Sequence, residues 1–575
     1  MKRILSYLRK YTKESILAPL FKLLEVVFEL IVPLVIARLI DEGIDGNGGT
    51  PLILQMTLWL VLLAVVGLVS AVTAQYFAAK AATGAATDIR RDLFAKVQAM
   101  NYADLDECGA STLLTRLTGD TNQVQAGINM ALRLLLRSPF VVFGAMVMAF
   151  TVDLSGGVIF GVAIPILFLV VFAILLATLP LYKRVQSHLD AVLRKTRENL
   201  RGTRVVRAFR MEDEEIRGFE KENDALLAAQ TFAGRISAIL NPGTMLLINA
   251  AVIVLIYTGA IRVESGAISA GMVVALYNYM SQILIELVKL ANLVILLARA
   301  IASAKRVAAV LERNNFVPVK TVVPDDVSRA RIAFTNVSFR YPTATGETLR
   351  GISFEAAKGE TVGVIGGTGS GKSSLISLIP RFYDASEGCV TIDGKNVQDY
   401  EKDELCRRIA VVPQRNALFS GTIRDNLLFG NESASDEELW DALTAAQGDD
   451  IVKSKDGGLD AIVEENGQNL SGGQKQRLCI ARALVKKPDI LILDDSSSAL
   501  DAATDARLRK ALRALPYDPT VVVVSQRTSS LSHADRILVL DNGELCGVGT
   551  HDELLESSDV YREIYDSQSR RGASV

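Results

Sequence analysis

Gly366-Gly367-Thr368-Gly369-Ser370-Gly371-Lys372-Ser373 follows the apolar run Thr361–Ile365 and opens a helix-forming stretch. A glycine, four residues, then glycine-lysine-serine between a strand and a helix is the pattern of a phosphate-binding loop. Such a loop turns successive backbone N–H groups inward to cradle phosphate oxygens, aided by the positive end of the following helix. Lys372 is then placed to reach the terminal phosphates and Ser373 to ligate magnesium, with Ser374 completing the nucleotide-binding set. The chemistry predicted is ATP binding, with Mg2+ as cofactor.

Further segments supply the groups that such a nucleotide needs. Ile490-Leu491-Ile492-Leu493-Asp494 reads as a buried strand ending in the second magnesium-side carboxylate. Val411-Val412-Pro413-Gln414 is a short strand ending in a glutamine whose side-chain carbonyl can touch the magnesium shell. Phe339-Arg340-Tyr341 ends the first strand and places Tyr341 to stack on adenine. Leu470-Ser471-Gly472-Gly473-Gln474 opens an amphipathic helix through Val485 and forms a second anion site. One ATP cannot use both anion sites within a compact monomer, so this one serves the γ-phosphate held by a partner. Ser498-Ala499-Leu500-Asp501 follows, and Val521–Val524 is the next buried strand.

These groups must be held by a domain of short strands and amphipathic helices, which begins near Arg329. Ahead of it, Pro318, Pro324, Asp325, Asp326 and Ser328 mark a linker. The predicted division is 1–315, 316–328 and 329–575. The chain has 575 residues, half of them hydrophobic, and the hydrophobic ones are unevenly placed. Pro51–Ala79, Leu154–Tyr182, Ile236–Ile261 and Gly266–Ile285 contain no charged residue, and each is long enough to cross a bilayer as a helix. With crossings at about Ser15–Ile40 and Leu132–Val152, the total is six. The predicted fold is an α-helical membrane domain of six transmembrane helices with long cytosolic extensions, fused to an α/β P-loop nucleotide-binding domain. A net charge of -2 argues against a nucleic-acid partner. Five scattered cysteines fit reduced thiols better than a disulfide frame or a zinc site.

Loop charges orient the crossings. Asp41–Pro51 and Asp153–Ser155 carry no Lys or Arg, whereas Lys80–Arg133 and Lys183–Arg235 are rich in Arg. The positive-inside rule therefore predicts a multi-pass protein of the cytoplasmic membrane with both termini cytoplasmic. Residues 1–14, with Lys2, Arg3, Arg9, Lys10 and Lys13, read as an amphipathic helix on the inner surface. Charges inside crossings need a reason. Lys22, Glu25 and Glu29 share one face of the first crossing, and the fifth crossing is broken by Asn241-Pro242-Gly243. Asn278, Gln282, Glu286, Lys289 and Asn292 form a stripe along the sixth. Both sets either line a water-accessible substrate path or form internal ion pairs, for example Glu286 with Lys289.

In order and spacing, the phosphate loop, Gln414, the Leu470–Gln474 signature, the Asp494 strand and Ser498–Asp501 resemble an ATP-binding cassette exporter half-transporter over nearly the whole chain. Glu198-Asn199-Leu200 and Val205–Phe209 add to the likeness. The resemblance implies two chains whose cassettes sandwich two ATP molecules head to tail, each site pairing one phosphate loop with the other chain's signature. It makes Ser498, Ala499, Leu500 and Asp501 the D-loop, and places coupling helices near Asn101–Asp120 and Arg201–Glu215. Two positions depart from the family. Asp495 stands where a glutamate usually polarises the attacking water, and Gln526 where a histidine usually meets the γ-phosphate. The only histidines are His188, His533 and His551. The chain thus resembles the degenerate-site subunit of bacterial heterodimeric multidrug-type exporters, its partner supplying the glutamate and histidine. The cargo expected is a hydrophobic or amphipathic drug, lipid or peptide. The alternatives are a homodimeric exporter with weak ATPase, or an ATP-gated or regulatory membrane ATPase without pumped cargo.

Overall fold

The computed structural model describes residues 2–46, 48–313, 330–342, 344–496 and 500–572. Residues 1–98 and 111–313 form one compact unit; residues 99–110 join the described residues beyond 313 in a second. The linker predicted over 316–328 lies outside the described residues.

The first unit is helical. The helices that carry the predicted crossings are Thr12–Arg38 (α1), Gly49–Ala99 (α2), Arg137–Val152 (α3), Leu154–Ala208 (α4), Leu240–Glu264 (α5) and Ala270–Leu311 (α6). A lipid interior offers no partner for backbone polar groups, so the apolar runs satisfy them within each helix. The runs Gly49–Ala99, Ala110–Val152, Leu154–Ala208 and Glu212–Glu264 are long and apolar enough to cross a membrane. α1 and α6 are also long enough, with 27 and 42 residues, but carry the charged faces described above. α2 and α4, of 51 and 55 residues, extend for about 80 Å at ~1.5 Å per residue, well over twice a hydrocarbon core of ~30 Å. The long extensions expected of the connections are therefore continuous with the crossings themselves.

Two boundaries differ from the sequence reading. The third crossing helix begins at Arg137, not Leu132, after a turn at Leu135-Leu136. Pro139 then falls in the first turn, where its missing N–H removes no intrahelical bond. The break in the fifth crossing falls at Ile239, just ahead of Asn241-Pro242-Gly243, so Pro242 also sits in a first turn. α6 is the hub of the unit. Its Tyr279 is fully buried and donates its hydroxyl hydrogen to the Leu30 carbonyl of α1 at 2.6 Å.

The second unit contains two main sheets. One is antiparallel, in the order β2 (Leu349–Ala356), β1 (Ile332–Phe339), β4 (Glu387–Ile392), β5 (Lys395–Asn396). The other has the order β12 (Glu544–Gly549), β11 (Arg536–Asp541), β3 (Thr361–Gly366), β10 (Thr520–Val524), β9 (Ile490–Asp494), β6 (Ile409–Val412). Strands β11, β3, β10, β9 and β6 run parallel and are buried Val/Ile/Leu runs, as a sheet covered on both faces requires. A small ribbon pairs β7 (Gly421–Thr422) with β8 (Ile462–Val463).

Residues 99–110 belong to this unit through aromatic contacts. The Tyr102 ring stacks on Phe382 with centroids 4.3 Å apart, and the Tyr383 hydroxyl donates to the Asp106 carboxylate. The short helix Tyr102–Cys108 is capped by Asn101, whose side chain accepts the Asp104 N–H at 2.7 Å.

Candidate nucleotide site

Three neighbouring strands bring the site together. β10 lies between β3 and β9, with Val524 opposite both Val364 and Asp494. The chain segments leaving β3, β9 and β10 therefore emerge side by side at the carboxyl ends of the parallel strands, the place where ligands bind in open parallel sheets. The first carries the phosphate loop, the second ends in Asp494-Asp495, and the third leads to Gln526.

The loop runs from Gly366 into the helix Lys372–Leu378 (α7). Gly371 has φ +98, and a Cβ there would stand 2.6 Å from the Leu349 side chain, so glycine is required twice over. Lys372 curls back along the loop, its Nζ donating to the carbonyls of Gly366 at 2.8 Å and Gly367 at 2.6 Å, and to Ser370 Oγ at 3.4 Å. The Ser373 hydroxyl lies 3.3 Å from one Asp494 carboxylate oxygen and 3.5 Å from the other. Lys372, Ser373, Gln414, Asp494, Asp495 and Gln526 line one cavity of about 330 Å3, together with Thr368, Gly369 and Ser374 of the loop.

Electrostatics in the cavity follow from burial. Burial and the neighbouring Asp495 carboxylate push the Asp494 carboxyl above its ordinary range, while burial holds the Lys372 ammonium below its own. A hydroxyl, a carboxylate and a glutamine carbonyl in one wall are hard oxygen donors, the set that suits Mg2+. Asp495 has φ +48, a left-handed conformation that aspartate tolerates better than most residues, and its N–H donates to the Val524 carbonyl at 2.9 Å. That bond links the strand ends bearing Asp495 and Gln526.

Not every predicted residue joins this cavity. Tyr341 stands beside it rather than on its wall: its hydroxyl is 2.9 Å from Ser374 Oγ, and its ring sits edge-on to Phe339 and Tyr383. Leu470, Ser471, Gly472, Gly473 and Gln474 also lie apart from it. Ser471 caps the helix Gly472–Val485 (α8) in a reciprocal box: its Oγ accepts the Gln474 N–H, and its own N–H donates to Gln474 Oε1 at 2.9 Å. Leu500 is buried and Asp501 caps the next helix through the Thr504 N–H at 2.9 Å, whereas Ser498 and Ala499 lie outside the described residues. Sequence reasoning missed Gln476. It is 1% exposed on α8 and donates to the Ser496 carbonyl, tying the signature helix to the segment after Asp495. A polar residue on the buried face of an amphipathic helix was the available signal.

In the membrane unit, the charged faces of α1 and α6 meet around Arg137 of α3. Arg137 Nη2 lies 2.7 Å from Glu29 and 3.7 Å from Glu25, and Nη1 pairs with Glu286. Lys22 pairs with Glu25 at 2.5 Å, Lys289 with Glu286 at 2.8 Å, and Ser138 donates to Glu286 at 2.9 Å. For these residues the contacts are those of the internal ion-pair alternative, extended by an arginine that the sequence did not link to them. Gln282, one turn before Glu286, has its Oε1 buried without a hydrogen-bond partner among the described residues, while Asn278 is half-buried and Asn292 exposed.

A phosphate loop, magnesium-type oxygen donors and a parallel sheet define an ATPase cassette, and its fusion to long membrane helices defines a transport ATPase. Comparison with known proteins agrees along the whole chain. Residues 15–287 match the model of the ABC transporter transmembrane region, and residues 349–498 match that of the ABC transporter family. The chain is 38% identical over its full length, and the relative's, to "Uncharacterized ABC transporter ATP-binding protein YfiB" of Bacillus subtilis (strain 168). It is 30% identical to "Putative multidrug export ATP-binding/permease protein YgaD" of the same organism, over 99% of each chain. The solved structure of a bacterial Atm1-family ABC exporter with ATP bound superposes with a TM-score of 0.80 at 25% identity, over 98% of each chain. The chain belongs to the ABC transporter family. It is an exporter half-transporter: a multi-pass membrane protein whose ATP-binding domain is an ATPase coupled to transport.

Proposed function

We propose that this chain is one subunit of a heterodimeric exporter, holding ATP in a slowly hydrolysing site of its own and lending Ser471, Gly472 and Gly473 to its partner's active site. The observation that carries the proposal is the pair Asp495 and Gln526 in the wall of one cavity. An aspartate withdraws the carboxylate by about one carbon–carbon bond, ~1.5 Å, from where a glutamate would hold it. Misplacement on that scale costs on the order of 10²-fold in rate. Glutamine can hydrogen-bond a phosphate but has no titratable proton near neutral pH. The partner then carries both the glutamate and the histidine.

Mg2+ would be held by Ser373, Asp494 and Gln414, and when bound it neutralises charge on the phosphates. Lys372 and the loop amides bind and orient the phosphates. Tyr341, beside Ser374, stacks on adenine, and Leu500 and Asp501 with Ser498 and Ala499 form the D-loop. The cassette spans 329–575 and is joined by the linker 316–328 to the membrane domain 1–315, whose residues 99–110 pack into the cassette's unit. The protein resides in the cytoplasmic membrane with both termini inside, and its cargo is a hydrophobic or amphipathic small molecule, lipid or peptide. A multidrug-export relative supports that cargo class.

Purified alone, the chain is expected to bind ATP but hydrolyse it far below transporter rates, with turnover restored by co-expression of the partner half-transporter. Full ATPase activity of a homodimer would overturn the heterodimer. The cargo path follows the α6 stripe from Asn278 through Gln282 to Asn292, beside the Arg137 cluster. Single cysteines replacing Asn278 and Gln282 are expected to react with polar thiol reagents in at least one nucleotide state; protection in every state would refute the path.

A further inference from the structure

The helix near the C-terminus, Asp559–Gly572 (α9), reaches back to the loop that carries Gln526. Its first turn is anchored. Tyr561 is fully buried, and with Val560 and Ile564 it packs against Leu531, Ile537 and Val539. The Tyr561 hydroxyl also lies 2.7 Å from His551 Nδ1. Ile564 and Gln568 are four residues apart and so share the anchored face. That face carries the Gln568 side chain onto residues 526–528.

There the carboxamide makes three hydrogen bonds. Gln568 Nε2 donates to the Gln526 carbonyl at 2.6 Å, while Oε1 accepts from the Thr528 N–H at 2.9 Å and from its hydroxyl at 3.0 Å. The opposite side of the loop is held by the sheet. The Ser525 N–H donates to the Val364 carbonyl at 3.2 Å, and the Arg527 N–H to Ser525 Oγ at 3.0 Å. The backbone at position 526 is thus gripped from two sides, by β3 and by Gln568. A carboxamide offers a donor and an acceptor at once, which neither a carboxylate nor an apolar side chain can do. A glutamate at 568 would accept from Thr528 but set a carboxylate against the Gln526 carbonyl. A methionine would keep the shape and make neither strong bond.

We infer that Gln568 is a positioning residue for the γ-phosphate end of the nucleotide site. It fixes the 526–528 backbone so that the Gln526 side chain meets the terminal phosphate, and it acts only through that loop. The inference rests on the reading of Gln526 as the γ-phosphate contact. It makes the discrimination between ATP and ADP depend on a helix outside the nucleotide cavity.

The test uses the full chain in the dimer it forms, labelled on this subunit by an azido-adenine nucleotide and competed with a non-hydrolysable ATP analogue or with ADP. Gln568→Met is expected to weaken the ATP analogue about tenfold while leaving ADP unchanged, the scale of lost hydrogen bonds at one loop. Amide hydrogen exchange at 526–528 is expected to speed up in the same variant, and Gln568→Glu to restore neither property. A preference for the ATP analogue over ADP that stays within about twofold of wild type in Gln568→Met overturns the inference, whatever the exchange rates do. Gln526→Ala, run alongside, separates two failures. If it abolishes the preference while Gln568→Met does not, the clamp alone is wrong. If it too leaves the preference intact, the underlying reading of Gln526 is wrong. Because the competitor is not hydrolysed, neither result depends on the turnover rate of the site.

Discussion

Asp495→Glu combined with Gln526→His is expected to raise ATP turnover at this chain's own site by about 10²-fold, measured with the partner's site disabled. Both residues already line the cavity beside Lys372 and Ser373, so the substitutions add reach and a titratable ring without building a new wall. The N–H bond from 495 to the Val524 carbonyl is kept because it is a backbone bond, and glutamate must adopt the left-handed conformation at 495 at a modest cost that aspartate is better suited to bear. Each single replacement is expected to recover much less than the pair, since groups acting on one transition state are strongly non-additive. Steady-state phosphate release is the readout. Turnover unchanged in the double variant would mean that Asp495 and Gln526 are not what limits the site.

Arg137→Met is expected to destabilise the protein by about 3 kcal/mol, the low end for breaking a buried pair, because it leaves Glu29 without its cation and Glu286 with Lys289 alone. Arg137 is 7% exposed and pairs with acids from two other helices, Glu29 and Glu286. The measurement is the Tm of the detergent-purified protein and its yield from the membrane. Arg137→Met combined with Glu29→Gln and Glu286→Gln is expected to recover most of the loss, since the cost lies in unpaired charge rather than in missing volume. A single substitution costing under about 1 kcal/mol would show the cluster to be solvated rather than structural.

The cassette could be read from sequence because each of its motifs is local. A phosphate loop is contiguous, and Asp494 and Gln414 each stand at the end of an apolar run, so their placement needed only the rule that ligands gather at strand ends. The crossings could be read because lipid demands uninterrupted apolar length. The Arg137 cluster could not, because its members lie 108 and 149 residues apart and meet only through helix packing. The starts of the third and fifth crossing helices shifted for a related reason. Hydropathy marks where a helix can lie, whereas Pro139 and Pro242 decide where it starts. Gln476 and Gln568 belong to no motif, and each bonds a backbone carbonyl, which any sequence can offer; only the burial of Gln476 on its helix face set it apart.

The stack of Tyr102 on Phe382 and the bond from Tyr383 to Asp106 have a consequence for how such transporters can be recombined. The cassette as a physical object is discontinuous in the gene: its compact unit includes residues 99–110, encoded more than two hundred residues before β1. A graft cut anywhere between Arg313 and β1 would import Phe382 and Tyr383 while leaving Tyr102 and Asp106 behind from a different parent. The module that keeps these contacts intact is the cassette plus this short upstream segment.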